Sequence, residues 1–167
     1  TLFRSLFGGA VDAAITGDGG GSSCADGPLS TLRIRVRTTT NNGRYSPRNI
    51  GAIWIETAQG QFVKTVERWA KTRVRWLTKW NASSAGNIVD AVSGATMTSH
   101  TTHDRMWNLK NTTECEIPNG DYRVMIEMTD TNATGPSTSI PFTVNGSAQT
   151  VTPTETANFH DLLVELH

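Results

Sequence analysis

The segment from Thr31 to Arg37 constrains the fold most, because it alternates apolar and charged side chains with a period of two. In an extended chain Leu32, Ile34 and Val36 point to one side, and the intervening arginines point to the other. A helix would distribute the same residues around its axis. The pattern therefore predicts a half-buried β-strand with its apolar face in a core and a row of positive charge outside.

The remainder of the chain predicts further short strands and one helix. Threonine is frequent, which favours strands, and glycine, asparagine and proline separate the apolar runs as turns require. The spacings of Val74 with Leu77 and of Trp76 with Trp80 predict a helix. The predicted strands are 31–37, 50–55, 62–69, 88–92, 104–109, 122–128, 139–144 and 161–166. We therefore predict a mainly β fold, an immunoglobulin-like β-sandwich with one short α-helix near residues 72–80.

The chain has 167 residues, which suits one domain and is short for two. Residues 1–5 read like a translated sequencing adaptor, and the glycine- and serine-rich stretch 17–26 reads like a linker. We expect a disordered or processed N-terminal segment over residues 1–29 and a single sandwich domain over residues 30–167. No stretch is long and apolar enough to predict a transmembrane segment.

The sequence contains two cysteines, Cys24 and Cys115. Exported proteins keep disulfides, whereas cytosolic proteins rarely do. One interpretation is a disulfide that pins the N-terminal segment to the sandwich in an exported protein. The other is two unrelated thiols.

The net charge is zero, but the charges are segregated along the chain. Between Thr31 and Trp80 there are eleven lysines or arginines and two acids, whereas Asn81 to His167 holds ten acids and three bases. Either the two halves lie against each other and neutralise, or a basic face binds an acidic polysaccharide or an envelope or extracellular protein partner. Zero net charge and the lack of a known module argue against nucleic acid. The candidate basic face comprises Arg33, Arg35, Arg37, Arg73, Arg75 and Lys79.

Several blocks resemble the predicted periplasmic proteins of domain-of-unknown-function family 2271, in the same order over residues 30–166. The blocks are Gly51 to Glu56, Phe62 to Thr65, the tryptophan-rich basic helix, Val89 to Thr96 and Pro118 to Val124. The second half, with Trp107 and Pro118 to Tyr122, also resembles the immunoglobulin-like domain of flagellar hook-capping proteins. These resemblances imply a sandwich fold, a periplasmic or extracellular location and an association with envelope redox systems.

The stretch from Asp90 to Ser99 is similar to the acceptor site of exported flavoproteins, in which a transferase joins the phosphate of flavin mononucleotide (FMN) to a threonine. The resemblance implies that Thr96 is the acceptor and that Asp90 is the acidic residue of the motif. It also implies that the small residues before the acceptor let the transferase approach the backbone. These small residues are Ser93, Gly94 and Ala95. The alternative to an acceptor site is a structural turn in which Thr96 pairs locally.

Three histidines, His100, His103 and His160, are candidate ligands for zinc or copper if the fold brings them together. The alternative is that they are solvated loop residues. The sequence has no Gly-x-Ser-x-Gly elbow, no phosphate-binding loop and no haem-attachment motif. We therefore do not expect a conventional enzyme.

Three functions follow from these patterns. The first is an exported accessory or binding module, periplasmic or secreted, for an unidentified ligand. The second is an electron-transfer protein that carries FMN covalently on Thr96. The third is a metal-binding domain.

Overall fold

The computed structural model describes Cys24 and residues 31–167. Over these residues nine strands form two sheets, in the orders β5-β1-β9-β8 and β4-β3-β2-β6-β7. The strands are β1 Leu32–Thr38, β2 Ile50–Thr57, β3 Phe62–Trp69, β4 Val92–Gly94, β5 Thr102–Trp107, β6 Gly120–Thr129, β7 Ser137–Val144, β8 Gln149–Val151 and β9 Phe159–Leu166. A 3-10 turn, Val74–Trp76, precedes the helix α1, Thr78–Ser84. Apart from Cys24, the predicted N-terminal segment 1–29 lies outside the described residues.

The two sheets pack face to face, which confirms the predicted mainly β, sandwich-like architecture with one short α-helix. Strand β1 lies inside the four-stranded sheet, between β5 and β9. Leu32, Ile34 and Val36 are fully buried in the core between the sheets, as the alternation predicts. The finer expectation of an immunoglobulin-like topology stays a prediction.

Strand β2 lies in the middle of the five-stranded sheet and is buried on both faces. One face contributes Ile53 and Ile55 to the core between the sheets. The other face contributes Trp54, which packs in a second cluster with Leu77 and Trp80 from the helical segment. The molecule therefore has three layers, with the helix on the outer face of the larger sheet.

The helix begins later than the sequence predicts. The sequence predicts a helix near residues 72–80, but Arg73 has a left-handed backbone conformation (φ 63°) and a 3-10 turn follows it. The first helical N–H groups are satisfied from β6, because the carboxylate of Glu127 accepts hydrogen bonds from Lys79 N at 3.2 Å and Trp80 N at 2.9 Å. This cap comes from a distant part of the chain, so the local spacing of apolar residues does not reveal it.

Two predicted strands are displaced. Residues 88–91 form a turn in which Asp90 has a positive φ of 51°, and the strand that follows, β4, pairs in parallel with β3. The strand expected over 104–109 spans Thr102–Trp107 instead, and Leu109 has a φ of 56°. Both displacements occur where the backbone adopts a left-handed conformation that an apolar pattern does not encode.

A buried carboxylate links the two sheets. Glu67 on β3 accepts hydrogen bonds from His103 Nδ1 at 3.0 Å and Arg105 Nη2 at 2.7 Å, both on β5. The His103 ring stacks on Trp69 with the ring centroids 3.9 Å apart. Burial alone would raise the pKa of Glu67, but the hydrogen bonds and charges of His103 and Arg105 outweigh it, so the pKa lies below its ordinary value.

Cys24 and Cys115 form the predicted disulfide, which joins positions 91 residues apart. Cys115 lies in a loop that is ordered by one side chain. Asn111 Oδ1 accepts hydrogen bonds from Thr113 N at 2.9 Å and Cys115 N at 3.1 Å. The bridge therefore attaches Cys24 to a fixed point on the sandwich.

Replacing Gly51 with alanine should destabilise the fold. An added Cβ would clash with Cζ2 of Trp69. That indole cannot easily move, because its Nε1 donates a hydrogen bond to Asn49 Oδ1 at 2.8 Å. We expect Gly51→Ala to lower the free energy of unfolding in urea by about 1–3 kcal/mol. The matched control is Gly94→Ala, where a Cβ meets open space. Equal midpoints for the two variants would contradict this packing.

The Glu67 network predicts a specific acid sensitivity. Because the folded pKa of Glu67 is below the ordinary value of 4.5, its stabilising contribution is present above that value and is lost as pH falls through the lower folded pKa. Free energies of unfolding measured between neutral pH and pH ~3 should therefore decline more steeply in the wild type than in Glu67→Gln. Parallel curves would show that the carboxylate does not contribute in this way.

The disulfide predicts that iodoacetamide adds to the protein only after reduction. Reduction should also lower the free energy of unfolding by about 2–4 kcal/mol, because a long loop is released in the unfolded chain. The control is the Cys24→Ser, Cys115→Ser double variant, whose unfolding midpoint should equal that of the reduced wild type and should not respond to reductant. Alkylation of both thiols without reductant would rule out the bridge.

Candidate functional site

The flavin-like motif lies on β4, at the edge of the five-stranded sheet. Strand β4 pairs in parallel with β3, so that Ser93 lies opposite Arg68 and Gly94 lies opposite Trp69. Ser93, Gly94 and Ala95 are exposed. These three residues are therefore accessible to a large partner.

A shallow basic pocket of about 320 Å³ adjoins these exposed residues. Its lining includes Arg68 and Lys71, and the guanidinium carbon of Arg68 lies 5.6 Å from the ring centroid of Trp80. Within the described part of the chain, neither cation forms an ion pair. The pocket therefore presents uncompensated positive charge beside the motif.

Thr96 is half-buried, and its hydroxyl oxygen is enclosed without a hydrogen-bond partner among the described residues. An acceptor hydroxyl must be reached from outside. Rotation about χ1 would move the hydroxyl to another staggered position without breaking a hydrogen bond to a described residue. An acceptor role for Thr96 therefore requires a rotamer other than the one in this structure.

The segment after Thr96 is fixed by Asn49, which is fully buried. The backbones of Asn49 and Met97 exchange two hydrogen bonds, of 3.1 and 3.0 Å, and Asn49 Nδ2 donates to Ser99 O at 3.2 Å. Asn49 Oδ1 in turn accepts the indole N–H of Trp69. Residues 97–99 are thus held by Asn49, whereas residues 93–95 remain exposed. Nothing in the local sequence around Asn49 predicts that it holds this segment in place.

Asp90, the acidic residue of the motif, is engaged with a buried lysine. The ammonium of Lys64 lies 3.4 Å from Asp90 Oδ2 and 3.1 Å from Glu114 Oε1, and it donates to the carbonyl of Asn111 at 3.4 Å. The Lys64 side chain is only 5% exposed, so these partners compensate a charge that would otherwise be costly to bury. The sequence predicts Lys64 only as a strand residue, because its partners come from later segments of the chain.

The three candidate metal ligands are not brought to one site. His103 lies in the core opposite Val36, so it is no solvated loop residue, and His160 lies opposite the outward-facing Arg37. His100 Nδ1 is 3.2 Å from Thr38 Oγ1, and burial lowers the pKa of His100. Among Cys24 and residues 31–167, no group of three or more histidine, cysteine or acidic residues has a metal-binding arrangement.

The six cations of the predicted basic face divide between two sides of the molecule. Arg33, Arg35 and Arg37 lie on the outer face of the four-stranded sheet. There Arg33 bonds to Asp104 at 2.7 Å and Arg37 to Asp161 at 2.7 Å, so acids from the second half of the chain neutralise these two arginines, whereas Arg35 forms no ion pair with a described residue. The other three lie on the helical layer over the opposite sheet, where they do not join the first group. They are Arg73, Arg75 and Lys79.

Comparison with known proteins assigns the chain to a family. No curated protein and no solved structure is significantly similar to it. None of the described helices is long and apolar enough to span a membrane. The family model of a predicted periplasmic protein, DUF2271, matches residues 31–159, which is more than half of the chain. The hook-cap likeness and the flavin site stay predictions. This chain belongs to the DUF2271 family of predicted periplasmic proteins.

Proposed function

We propose that this protein is an exported electron-transfer module that carries FMN joined through its phosphate to Thr96. The observation that carries the proposal is the position of the motif. Ser93, Gly94 and Ala95 lie exposed at the end of an edge strand and line a pocket with two cations that form no ion pair with any described residue. The family assignment to predicted periplasmic proteins agrees with modification outside the cytoplasm.

The cations suit the group that the motif would carry. A phosphate ester on Thr96 keeps negative charge, and a guanidinium presents parallel N–H donors that match phosphate oxygens. Arg68 and Lys71 would therefore hold the phosphate against the β4 edge. The flavin supplies the electron-transfer chemistry when it is bound, and the protein supplies its position and surroundings.

The backbone on both sides of the attachment point is held in place. The hydroxyl of Thr96 has no hydrogen bond to a described residue, while the next residue, Met97, is bonded on both backbone groups to Asn49. Upstream, the ion pair of Asp90 with Lys64 holds the turn that leads into β4. The motif is thus held at both ends, which limits the loss of conformational freedom when a bulky group is positioned there.

Intact mass spectrometry tests the proposal directly. The protein, produced with an export signal together with a periplasmic flavin transferase, should gain the mass of one esterified FMN and should show flavin fluorescence after denaturation. Thr96→Ala should show neither. Thr98→Ala, which removes an exposed threonine from the same segment, should keep both.

A second acceptor protein produced in the same cells establishes that the transferase is active. If that protein is modified and the wild-type chain is not, the flavin assignment is wrong, and the coarser function of a periplasmic accessory module is what stands. An equal gain in Thr96→Ala would place the modification elsewhere.

A further inference from the structure

Three arginines surround one tyrosine at the loop between β1 and β2 and the turn before α1. The guanidinium carbons of Arg73 and Arg44 lie 4.3 Å and 5.9 Å from the ring centroid of Tyr45. Arg48 lines a concave pocket of about 550 Å³ together with Arg44 and Tyr45. We call these four residues, Arg44, Tyr45, Arg48 and Arg73, the Tyr45 surface.

The positive charge of the Tyr45 surface is uncompensated. In the part of the chain that the structure describes, none of its three arginines forms an ion pair. The neighbouring acid, Asp130, is fully buried, and its Oδ2 accepts hydrogen bonds from Thr40 Oγ1 at 2.9 Å and Asn41 N at 3.0 Å. Asp130 is therefore held inside and cannot turn outward to pair with the arginines.

The surface is also held in place before any partner binds. Tyr45 N donates to Asp130 O at 2.9 Å, and the tyrosine hydroxyl accepts a hydrogen bond from Asn132 Nδ2 at 2.9 Å. Arg48 N donates to Tyr45 O at 2.8 Å, which closes a turn. A partner would therefore meet arginines whose backbone is already ordered, which reduces the entropy lost on binding.

We propose that the Tyr45 surface docks an acidic segment of a partner protein. Guanidinium groups bind carboxylates through paired hydrogen bonds, and arginine and tyrosine are the residue types that dominate protein–protein binding energy. The proposal does not depend on the flavin, although it has a consequence for it. Thr98 lines the same pocket, so a docked partner lies two residues along the chain from Thr96.

Two other anionic partners fit the surface less well. A sugar that stacks on an aromatic ring needs a free ring face, whereas Arg73 already lies over the ring of Tyr45. A membrane surface needs exposed apolar side chains that insert between lipids. Among the described residues the exposed large apolar side chains are Val89, Val92 and Met106, and the last two line a different pocket together with Lys64.

The test measures binding of a fluorescent octaglutamate peptide to the unmodified full chain by anisotropy, at low and at physiological salt. Arg44→Gln, Arg48→Gln should weaken binding at low salt roughly tenfold, because it removes two uncompensated cations. The matched control is Arg33→Gln, Arg37→Gln, which removes two cations that already have acidic partners and should change affinity less than about twofold.

Equal weakening by the two double variants would mean nonspecific charge attraction and would overturn the proposal. The absence of peptide binding would also overturn it. So would binding of an oligogalacturonate or of anionic phospholipid vesicles that is tighter than binding of the peptide and depends on Arg44 and Arg48. Unfolding midpoints within the wild-type range establish that the variants fold. Thr96→Ala should bind the peptide like the wild type, so failure of the flavin proposal and failure of this one are distinguishable.

Discussion

Burial of β2 on both faces is the constraint on which the rest of the structure depends. A strand enclosed on both sides needs an apolar layer above and below it, because the free energy gained depends on the apolar area removed from water. The four-stranded sheet supplies one layer, and the helical segment with Leu77 and Trp80 supplies the other. The second layer also needs polar partners inside it. Trp80 Nε1 donates to Thr65 Oγ1 at 3.0 Å, and Glu127 caps the helix that carries this indole.

The sequence predicted those features whose cause is local. The alternation in β1, the apolar run of β2 and the exported character of a chain with a cysteine pair required no knowledge of distant contacts. Lys64 and Glu67 were not predicted as buried charges, because Glu114 and His103, which satisfy them, lie 50 and 36 residues away along the chain. The late start of the helix likewise depends on Glu127. The prediction of one basic face is wrong in part because the strand register, which periodicity does not predict, places Asp104 opposite Arg35 and within reach of Arg33.

The candidate site is distinguished by positively charged side chains that form no ion pair with a described residue. Arg33 and Arg37 on the outer face of β1 are neutralised by acids on the neighbouring strands, so they offer little to a ligand. Four of the cations that form no ion pair with a described residue line two pockets that the acceptor-like motif also borders. Arg68 and Lys71 line a pocket with Ser93 to Ala95, and Arg44 and Arg48 line a pocket with Thr98. The motif itself came from resemblance, whereas this arrangement of charges around it became visible in the fold.

The disulfide has a consequence for how the protein matures. Cys115 belongs to the same loop as Asn111 and Glu114, the groups that contact the buried ammonium of Lys64. Disulfides form in oxidising compartments. Without the bridge, this loop would keep the contacts of Asn111 and Glu114 with Lys64 and the hydrogen bonds that Asn111 Oδ1 accepts from the loop itself. The covalent link to Cys24 is added only where thiols are oxidised, so a bridged molecule is one that has left the reducing cytoplasm.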